Sequence, residues 1–426
     1  MLTREDNELM CRVGPGTPMG ELLREYWIPA LHSTDLPERD AAPQRIRLLT
    51  ENLIAFRDTS GRVGIVANSC PHRGASMFFG RNEEDGLRCV YHGWKFDVEG
   101  TCVDMPNEPA ESNFKHKIHL TAYTVNELNG IIWVYMGKRE TPPALPEQGF
   151  ALVDEKHRGA LKYQRDCNFV QALEGDIDTA HLGFLHVTFA GRTSAADRVA
   201  QLLTFTRDKA PALRVVETPI GVMYGARRNY SETEYHWRVS QFLMPFYTSI
   251  PGFGGRQSAK IWVPLDDEHT MVWETNWSMG EELSPERQQG WEGRIPPSGF
   301  KPDTTEWLGR ARFWADETND FYIDRERQKN ENFTGFEESN PIQDGGIQVT
   351  MGKIFDRTKE HLGTTDATIV QVRKKLVQSA KAYQEHGIVP PGVDEPAAYR
   401  LHGAEFTLER EGDWTEYSKD LVRKMS

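Results

Sequence analysis

Two short motifs place metal-binding side chains close together. Residues 70–72 read Cys-Pro-His and residues 89–92 read Cys-Val-Tyr-His, so a Cys-x-His pair is followed, after sixteen residues, by Cys-x-x-His. Two thiolates and two imidazoles suit a tetrahedral Zn²⁺, or a [2Fe-2S] cluster with cysteines on one iron and histidines on the other. Spacing alone leaves both open. Gly74 and Gly93 follow the pairs, where a missing side chain would let backbone N–H groups approach bridging sulfides and stabilise a reduced cluster. Trp94 and Phe96 are placed to pack the second loop. Any one of these residues alone reads as well as a core cysteine or a surface histidine; the four together point to a metal.

A second constellation lies in NFVQALEGDIDTAHLGFLH, where Asp178, His181 and His186 form Asp-x-x-His-x-x-x-x-His. A three-residue step leads from Asp178 to His181, which keeps both on one helix face. The five-residue step to His186 does not, so convergence requires the helix to bend, bulge or end, and Gly183 would ease this. Two neutral imidazoles and one carboxylate, with three positions open, let Fe(II) bind O₂ beside a substrate. Asp178 is expected to orient His181 through its other nitrogen, so the carboxylate must come from elsewhere. Asp320, in a TNDFYIDRERQ segment read as helical, is the expected third ligand, with Asp316, Glu317, Asp324 and Asp344 as competitors. The plain alternative is that such an acid-rich helix is a solvated face.

The elements that must position these groups follow from patterning. Thr17 before Pro18 predicts a helix start, carrying Leu22, Leu23, Tyr26 and Trp27 to a packed face. From Arg45 to Asn68 short runs of β-formers alternate with polar breaks, and Asp58–Gly61 and Asp97–Gly100 read as hairpin turns. With the strand-like GIIWVYMG at 130–137, residues 43–140 read as an all-β domain after an N-terminal helical segment, 1–42. Pro142, Pro143 and Pro146 mark a linker. In 141–426 a helical stretch at 174–186 precedes strands at 211–217, 220–227, 235–243, 259–264 and 270–277, which suggests an antiparallel sheet with helices packed on it. Helical spacing returns at Trp307, Ala311 and Trp314, and at Ile369, Val372, Leu376 and Ala380, closed by Gly387. The fold class is therefore α+β.

At 426 residues the chain is long enough for two domains. Its 63 acidic against 50 basic residues, net −13, leave no cationic excess for phosphates or anionic lipid, so nucleic acid and membrane partners are not expected. No apolar run approaches the roughly 20 residues of a membrane span. Five cysteines, an odd and sparse set, do not form a disulfide framework, and a cytoplasmic location is expected.

Both constellations in this order resemble the catalytic (alpha) subunit of Rieske non-heme iron ring-hydroxylating oxygenases. Within that family the chain is most similar to the phthalate 4,5-dioxygenase subfamily, through VGPGTPMGELLREYW, CPHRGASMFFGRNEEDGLRCVYHGWKFD, ALEGDIDTAHLGFLH and MGKIFDRTKEHLG. The resemblance implies a Rieske [2Fe-2S] domain followed by a helix-grip, START-like catalytic domain. It implies Cys70 and Cys89 on one cluster iron, His72 and His92 on the other, and His181, His186 and Asp320 on a mononuclear Fe(II). Asp178 would bridge to His92 of a neighbouring subunit in a homotrimer or stacked-trimer hexamer. Many relatives have proline where Val90 stands, a change expected to matter little.

The implied reaction takes electrons from NADH, through a reductase carrying flavin and a ferredoxin-type [2Fe-2S] centre, to activate O₂ at the iron. The implied substrate is an aromatic carboxylate of the phthalate, isophthalate, chlorobenzoate or phenoxybenzoate type, the reaction a dioxygenation. Arg207, Arg227, Arg228 and Arg238 are candidates for a bidentate carboxylate clamp. Phe242, Phe246, Tyr247 and Phe253 are candidates for an apolar pocket, although core packing is their more frequent role. One rival reading is a Rieske monooxygenase or O-demethylase of an aryl ether; another is a non-enzymatic electron-transfer or zinc-stabilised protein.

Overall fold

The computed structural model describes residues 2–109, 111–187, 204–252, 257–289 and 295–423. Two compact units emerge, neither of them a consecutive stretch. Val13–Pro143 and Asp303–Arg310 form one; Met1–Arg12, Ala144–Pro302 and Ala311–Ser426 form the other. The 1–42 segment is thus shared, with helix α1 (Arg4–Cys11) in the second unit and α2 (Pro18–Arg24) in the first. Thr17 caps α2, its Oγ1 accepting from the Gly20 N–H at 3.1 Å. Trp27 does not extend that helix as expected. It opens a strand, because Pro29 in WIPALH cannot sit in a helix interior.

The first unit is all-β. Its larger sheet contains β1 (Trp27–His32), β2 (Gln44–Leu48), β3 (Glu51–Arg57) and β4 (Val63–Ala67). A smaller one contains β5 (Arg81–Glu83), β6 (Gly86–Arg88), β7 (Lys95–Phe96) and β8 (Cys102–Asp104). With β9 (Ala122–Leu128) and β10 (Ile131–Tyr135), the larger sheet runs β1-β10-β9-β4-β3-β2. The turns at Asp58–Gly61 and Asp97–Gly100 form as expected, each closed by a glycine N–H donating to the aspartate carbonyl at 3.0 Å. Ile54, Phe56, Val66, Met77, Leu87 and Phe96 make the core in which Cys70 and Cys89 are buried.

Trp307 packs against that same core, and the Arg45 guanidinium lies 3.8 Å from the Phe78 ring centroid and 5.3 Å from that of Trp307. The helical spacing at Trp307, Ala311 and Trp314 is therefore not a helix. Thr304 N–H donates to Gly309 O at 2.8 Å and Lys301 N–H to Arg312 O at 2.7 Å, a hairpin-like ladder.

The second unit holds an antiparallel sheet with helices against it. Its strands are β11 (Arg158–Arg165), β12 (Ala212–Thr218), β13 (Gly221–Asn229), β14 (Glu234–Leu243), β15 (Tyr247–Pro251), β16 (Gln257–Pro264), β17 (Thr270–Trp277) and β18 (Ala404–Glu409). The order is β11-β17-β16-β15-β14-β13-β12, with β18 along the first half of β14. Every strand expected from the sequence is present within two residues; β11, β15 and β18 had no expectation. Helix α3 (Phe169–Ile177) packs on β14, β15 and β16.

Helix α4 (Asn340–Thr350) was not expected, because Gly345 and Gly346 inside it each cost about 1 kcal/mol of helix propensity. Packing explains the second: a Cβ at Gly346 would stand 3.0 Å from the Phe336 ring. Buried amides pin α4 to α3. Gln171 Nε2 donates to Gln348 O at 2.6 Å, Gln348 Nε2 donates to Ala172 O at 3.2 Å, and Arg165 bonds the Gln348 side chain.

Helix α5 (Ala367–His386) ends at Gly387 in the left-handed region, as expected. It joins α3 and α1 through a buried ionic knot. Arg357, fully buried, pairs with Glu174 at 3.2 Å and donates to Asn7 Oδ1 at 2.9 Å, while Arg373 reaches the other Glu174 oxygen at 2.6 Å and also pairs with Glu360. Burial alone would raise the Glu174 carboxyl; the two guanidinia hold it below its ordinary value. Arg357→Leu leaves part of this charge unpaired and is expected to destabilise the protein by about 3–5 kcal/mol, read as a shift in the urea midpoint.

Candidate metal centres

The first centre sits on two matching turns. Cys70 N–H donates to Ala75 O and Cys89 N–H to Trp94 O, both at 2.8 Å, and each turn is closed by a glycine, Gly74 N–H to Cys70 O and Gly93 N–H to Cys89 O, both at 2.9 Å. Gly74 and Gly93 have φ of +78° and +82°, a region L side chains seldom adopt. Their own N–H groups close the turns.

The turns bring His72 and His92 together, Nδ1 facing Nδ1 at 3.0 Å, with Trp94 stacked on His72 at 4.4 Å between ring centroids. Trp94 is fixed by its own N–H, which donates to Asn107 Oδ1 at 2.7 Å. Burial, with the neighbouring Cys89 thiol, pushes Cys70 up to about 11. Two thiols in contact cannot both ionise readily unless a cation lies between them.

A single Zn²⁺ with bonds of about 2.0–2.3 Å would draw all four ligand atoms within about 4 Å of one another. No three of these four lie within 4.8 Å, the described residues giving one such group elsewhere. A sulfur end and a nitrogen end, spaced apart, suit a binuclear cluster.

At the second centre α3 ends before the histidines. Asp178 is its extended C-cap rather than a helical neighbour of His181, and Ala180 N–H donates to Asp178 Oδ1 at 2.7 Å. His181 opens a short 3₁₀ turn, His181–Gly183, after which the chain folds back with Leu185 N–H on His181 O at 2.8 Å. Buried Arg228 holds the intervening loop by donating to Thr179 O at 2.7 Å. The result places His181 Nε2 3.1 Å from His186 Nε2.

Asp344, from α4, completes the group, its Oδ1 3.2 Å from His186 Nε2 and 3.8 Å from His181 Nε2. Ligands at adjacent vertices of an octahedral ion with bonds of about 2.1 Å stand about 3 Å apart, so these atoms fit one cation. The opposite ring nitrogens are occupied: His181 Nδ1 is 3.5 Å from Asp178 Oδ2, and His186 Nδ1 is 2.6 Å from Gln343 Oε1. Burial alone would raise the Asp344 carboxyl, but the adjoining His186 and His181, with Lys260 behind, hold it well below the usual carboxylate range. Burial pulls His181 toward neutrality, yet the hydrogen bond its ring donates to Asp178 and the Asp344 charge raise it overall.

Asp320 does not join this group. It is exposed, in a 3₁₀ stretch at φ +51°, where Phe321 is the residue that turns inward. The other competitors have local tasks: Asp316 caps that stretch and pairs with Lys301, Asp324 caps Arg325–Asn330, and exposed Glu317 faces Lys353 at 3.8 Å. Asp344 was the least conspicuous acid because its helix was illegible.

Of the arginines, Arg207 is exposed, Arg227 lies over Tyr235 at 4.1 Å and Arg228 is committed to the loop. Arg238 is buried, its nearest acid Glu405 at 3.7 Å already bonded to His236 Nε2 at 2.6 Å. Phe242, Phe246 and Tyr247 are core residues; Phe253 lies outside the described residues.

Family comparison agrees with this geometry. Residues 26–124 match the Rieske [2Fe-2S] domain and residues 134–425 match the LigXa C-terminal domain. The chain is 42% identical to the 3-chlorobenzoate-3,4-dioxygenase oxygenase subunit of Comamonas testosteroni, over 94% of this chain and 93% of that one. It is 37% identical to the phthalate 4,5-dioxygenase oxygenase subunit of Pseudomonas putida, over 99% and 96%. In fold it is similar to the terminal oxygenase of carbazole 1,9a-dioxygenase from Nocardioides aromaticivorans IC177, with a TM-score of 0.57 at 17% identity over 88% and 97%. With sulfur-and-imidazole turns on a β unit and a histidine–carboxylate group beside an antiparallel sheet, the chain belongs by these matches to the Rieske non-heme iron oxygenases, as an oxygenase (alpha) subunit.

Proposed function

We propose that this chain is the oxygenase component of a multicomponent dioxygenase that acts on an aromatic carboxylate, drawing electrons from NADH through a flavin and [2Fe-2S] reductase in the cytoplasm. Cys70, Cys89, His72 and His92 hold the cluster; His181, His186 and Asp344 hold the mononuclear iron. The observation that carries this reading is the His181–His186–Asp344 group, a two-histidine, one-carboxylate set that leaves half of an octahedral coordination sphere open. When bound, the cluster supplies single electrons and the iron a place for O₂ beside the substrate.

The chain's own residues then do the orienting. The facing Nδ1 atoms of His72 and His92 turn each Nε2 outward, and His92 is partly exposed. Asp178 is also partly exposed while facing His181. This supports a trimer, or a hexamer of stacked trimers, in which His92 of one subunit meets Asp178 of the next. The buried charge near β14 supports an anionic substrate. Arg228 and Arg238 stand close enough that burial and the Arg238 charge lower Arg228 to about 10. Arg238, only loosely paired, is the proposed carboxylate clamp.

With a compatible reductase and NADH, oxygen uptake is expected on one aromatic acid of a benzoate, phthalate and phenoxybenzoate panel and not without it. Both atoms of labelled O₂ in one product mark dioxygenation; one atom with loss of an alkyl group marks the monooxygenase reading instead. Arg238→Met removes a charge-assisted bond of about 1.5–3 kcal/mol, so KM should rise roughly 10- to 100-fold with kcat less affected. Iron analysis distinguishes the acids: Asp344→Ala should lose the mononuclear iron and keep the cluster absorption, whereas Asp320→Ala should keep both.

A further inference from the structure

His186 is oriented by a neutral group, although His181 has a carboxylate. Gln343 is 3% exposed, and its Oε1 lies 2.6 Å from His186 Nδ1, closer than the usual 2.9–3.0 Å for N–H···O. Its other amide atom, Nε2, donates to Glu337 O at 3.4 Å. Reversing the amide would set carbonyl against carbonyl there, so the oxygen is the atom that faces the ring. An amide oxygen accepts only, so Nδ1 carries the hydrogen and the lone pair of His186 lies on Nε2, toward His181 and Asp344. Gln343 directly precedes Asp344 on α4, and α4 is locked to α3 by Gln171 and Gln348. One rigid turn thus delivers a carboxylate and also aims the imidazole beside it.

We infer that Gln343 is a positioning residue for the mononuclear metal, setting the tautomer and ring angle of His186 without adding charge. The inference rests on the ligand set proposed above. Its consequence is an unequal histidine pair: Asp178 makes His181 the stronger donor, and the amide leaves His186 the weaker one. Of the groups that face the two imidazoles, Asp344 and Asp178 bring charge and Gln343 brings none.

The test is anaerobic titration of Fe(II), against a competing chelator, into full-length protein that holds its cluster but has been stripped of mononuclear iron. Gln343→Leu is expected to weaken Fe(II) binding 10- to 100-fold with the cluster absorption unchanged, and to alter the electron paramagnetic resonance of the iron–nitric oxide adduct. Gln343→Glu, which restores an acceptor, is expected to bind at least as tightly as the parent. His186→Ala serves as the reference for losing a ligand. If His186→Ala loses iron while Gln343→Leu binds with parental affinity, the positioning role is overturned and the ligand set stands. If His186→Ala keeps its iron, the ligand set itself falls, and the inference with it. Should the leucine variant not fold, Gln343→Asn, one methylene too short to reach, replaces it; parental affinity there is equally fatal.

Discussion

Two ring nitrogens that both present lone pairs repel one another at 3 Å, and this protein holds two such pairs. His72 and His92 face through Nδ1; His181 and His186 face through Nε2. Either a proton or a metal ion must lie between the members of each pair, and in the second the flanking Asp344 selects for a cation with more than one bond to make. The choice of nitrogen also decides what remains on the far side of each ring. In the first pair it is an outward Nε2; in the second it is an inward Nδ1 already bonded to Asp178 or Gln343.

The scaffolding around the two pairs differs in kind. The first rests on backbone: two turns of the same construction, closed by glycines at positive φ and stiffened by a tryptophan stacked on His72. The second rests on side chains. Arg228 fixes the loop before His181, buried glutamines fix α4, and Glu174 with Arg357 and Arg373 fixes α3 behind them. A site built on short turns suits a compact inorganic cluster. One assembled from separate helices leaves room on its open side for a substrate.

What could be read from the sequence follows this distinction. The meeting of His72 with His92 and of His181 with His186 was legible because these residues lie in short motifs, Cys-x-His, Cys-x-x-His and His-x-x-x-x-His. Strands rich in β-formers were legible too, whereas β11, which has Gly159 and Ala160 near its start and basic Arg158, Lys162 and Arg165 along it, and β18, a late return to β14, were not. Asp344 was hidden because Gly345 and Gly346 argue against a helix until Phe336 is seen packing on it. Asp320 was attractive for the opposite reason, since an acid-rich stretch looks helical until its residues are found at positive φ on an exposed turn. The spacing at Trp307, Ala311 and Trp314 misled in the same way: Trp307 is half-buried against the core of the first unit, not on a helix face of the second.

That tryptophan has a bearing on biosynthesis. The β unit around the cluster turns takes part of its cover from Asp303–Arg310, which the ribosome makes only after the whole of Ala144–Pro302. At ordinary elongation rates this gap is roughly 10–30 s. During it the nascent β unit lacks Trp307 and so one of the rings beside Arg45, while α1, made first, waits for Arg357 to be synthesised. Any folding of the β unit during that gap therefore proceeds without its last piece, and a gene fragment ending at Pro143 omits that piece altogether.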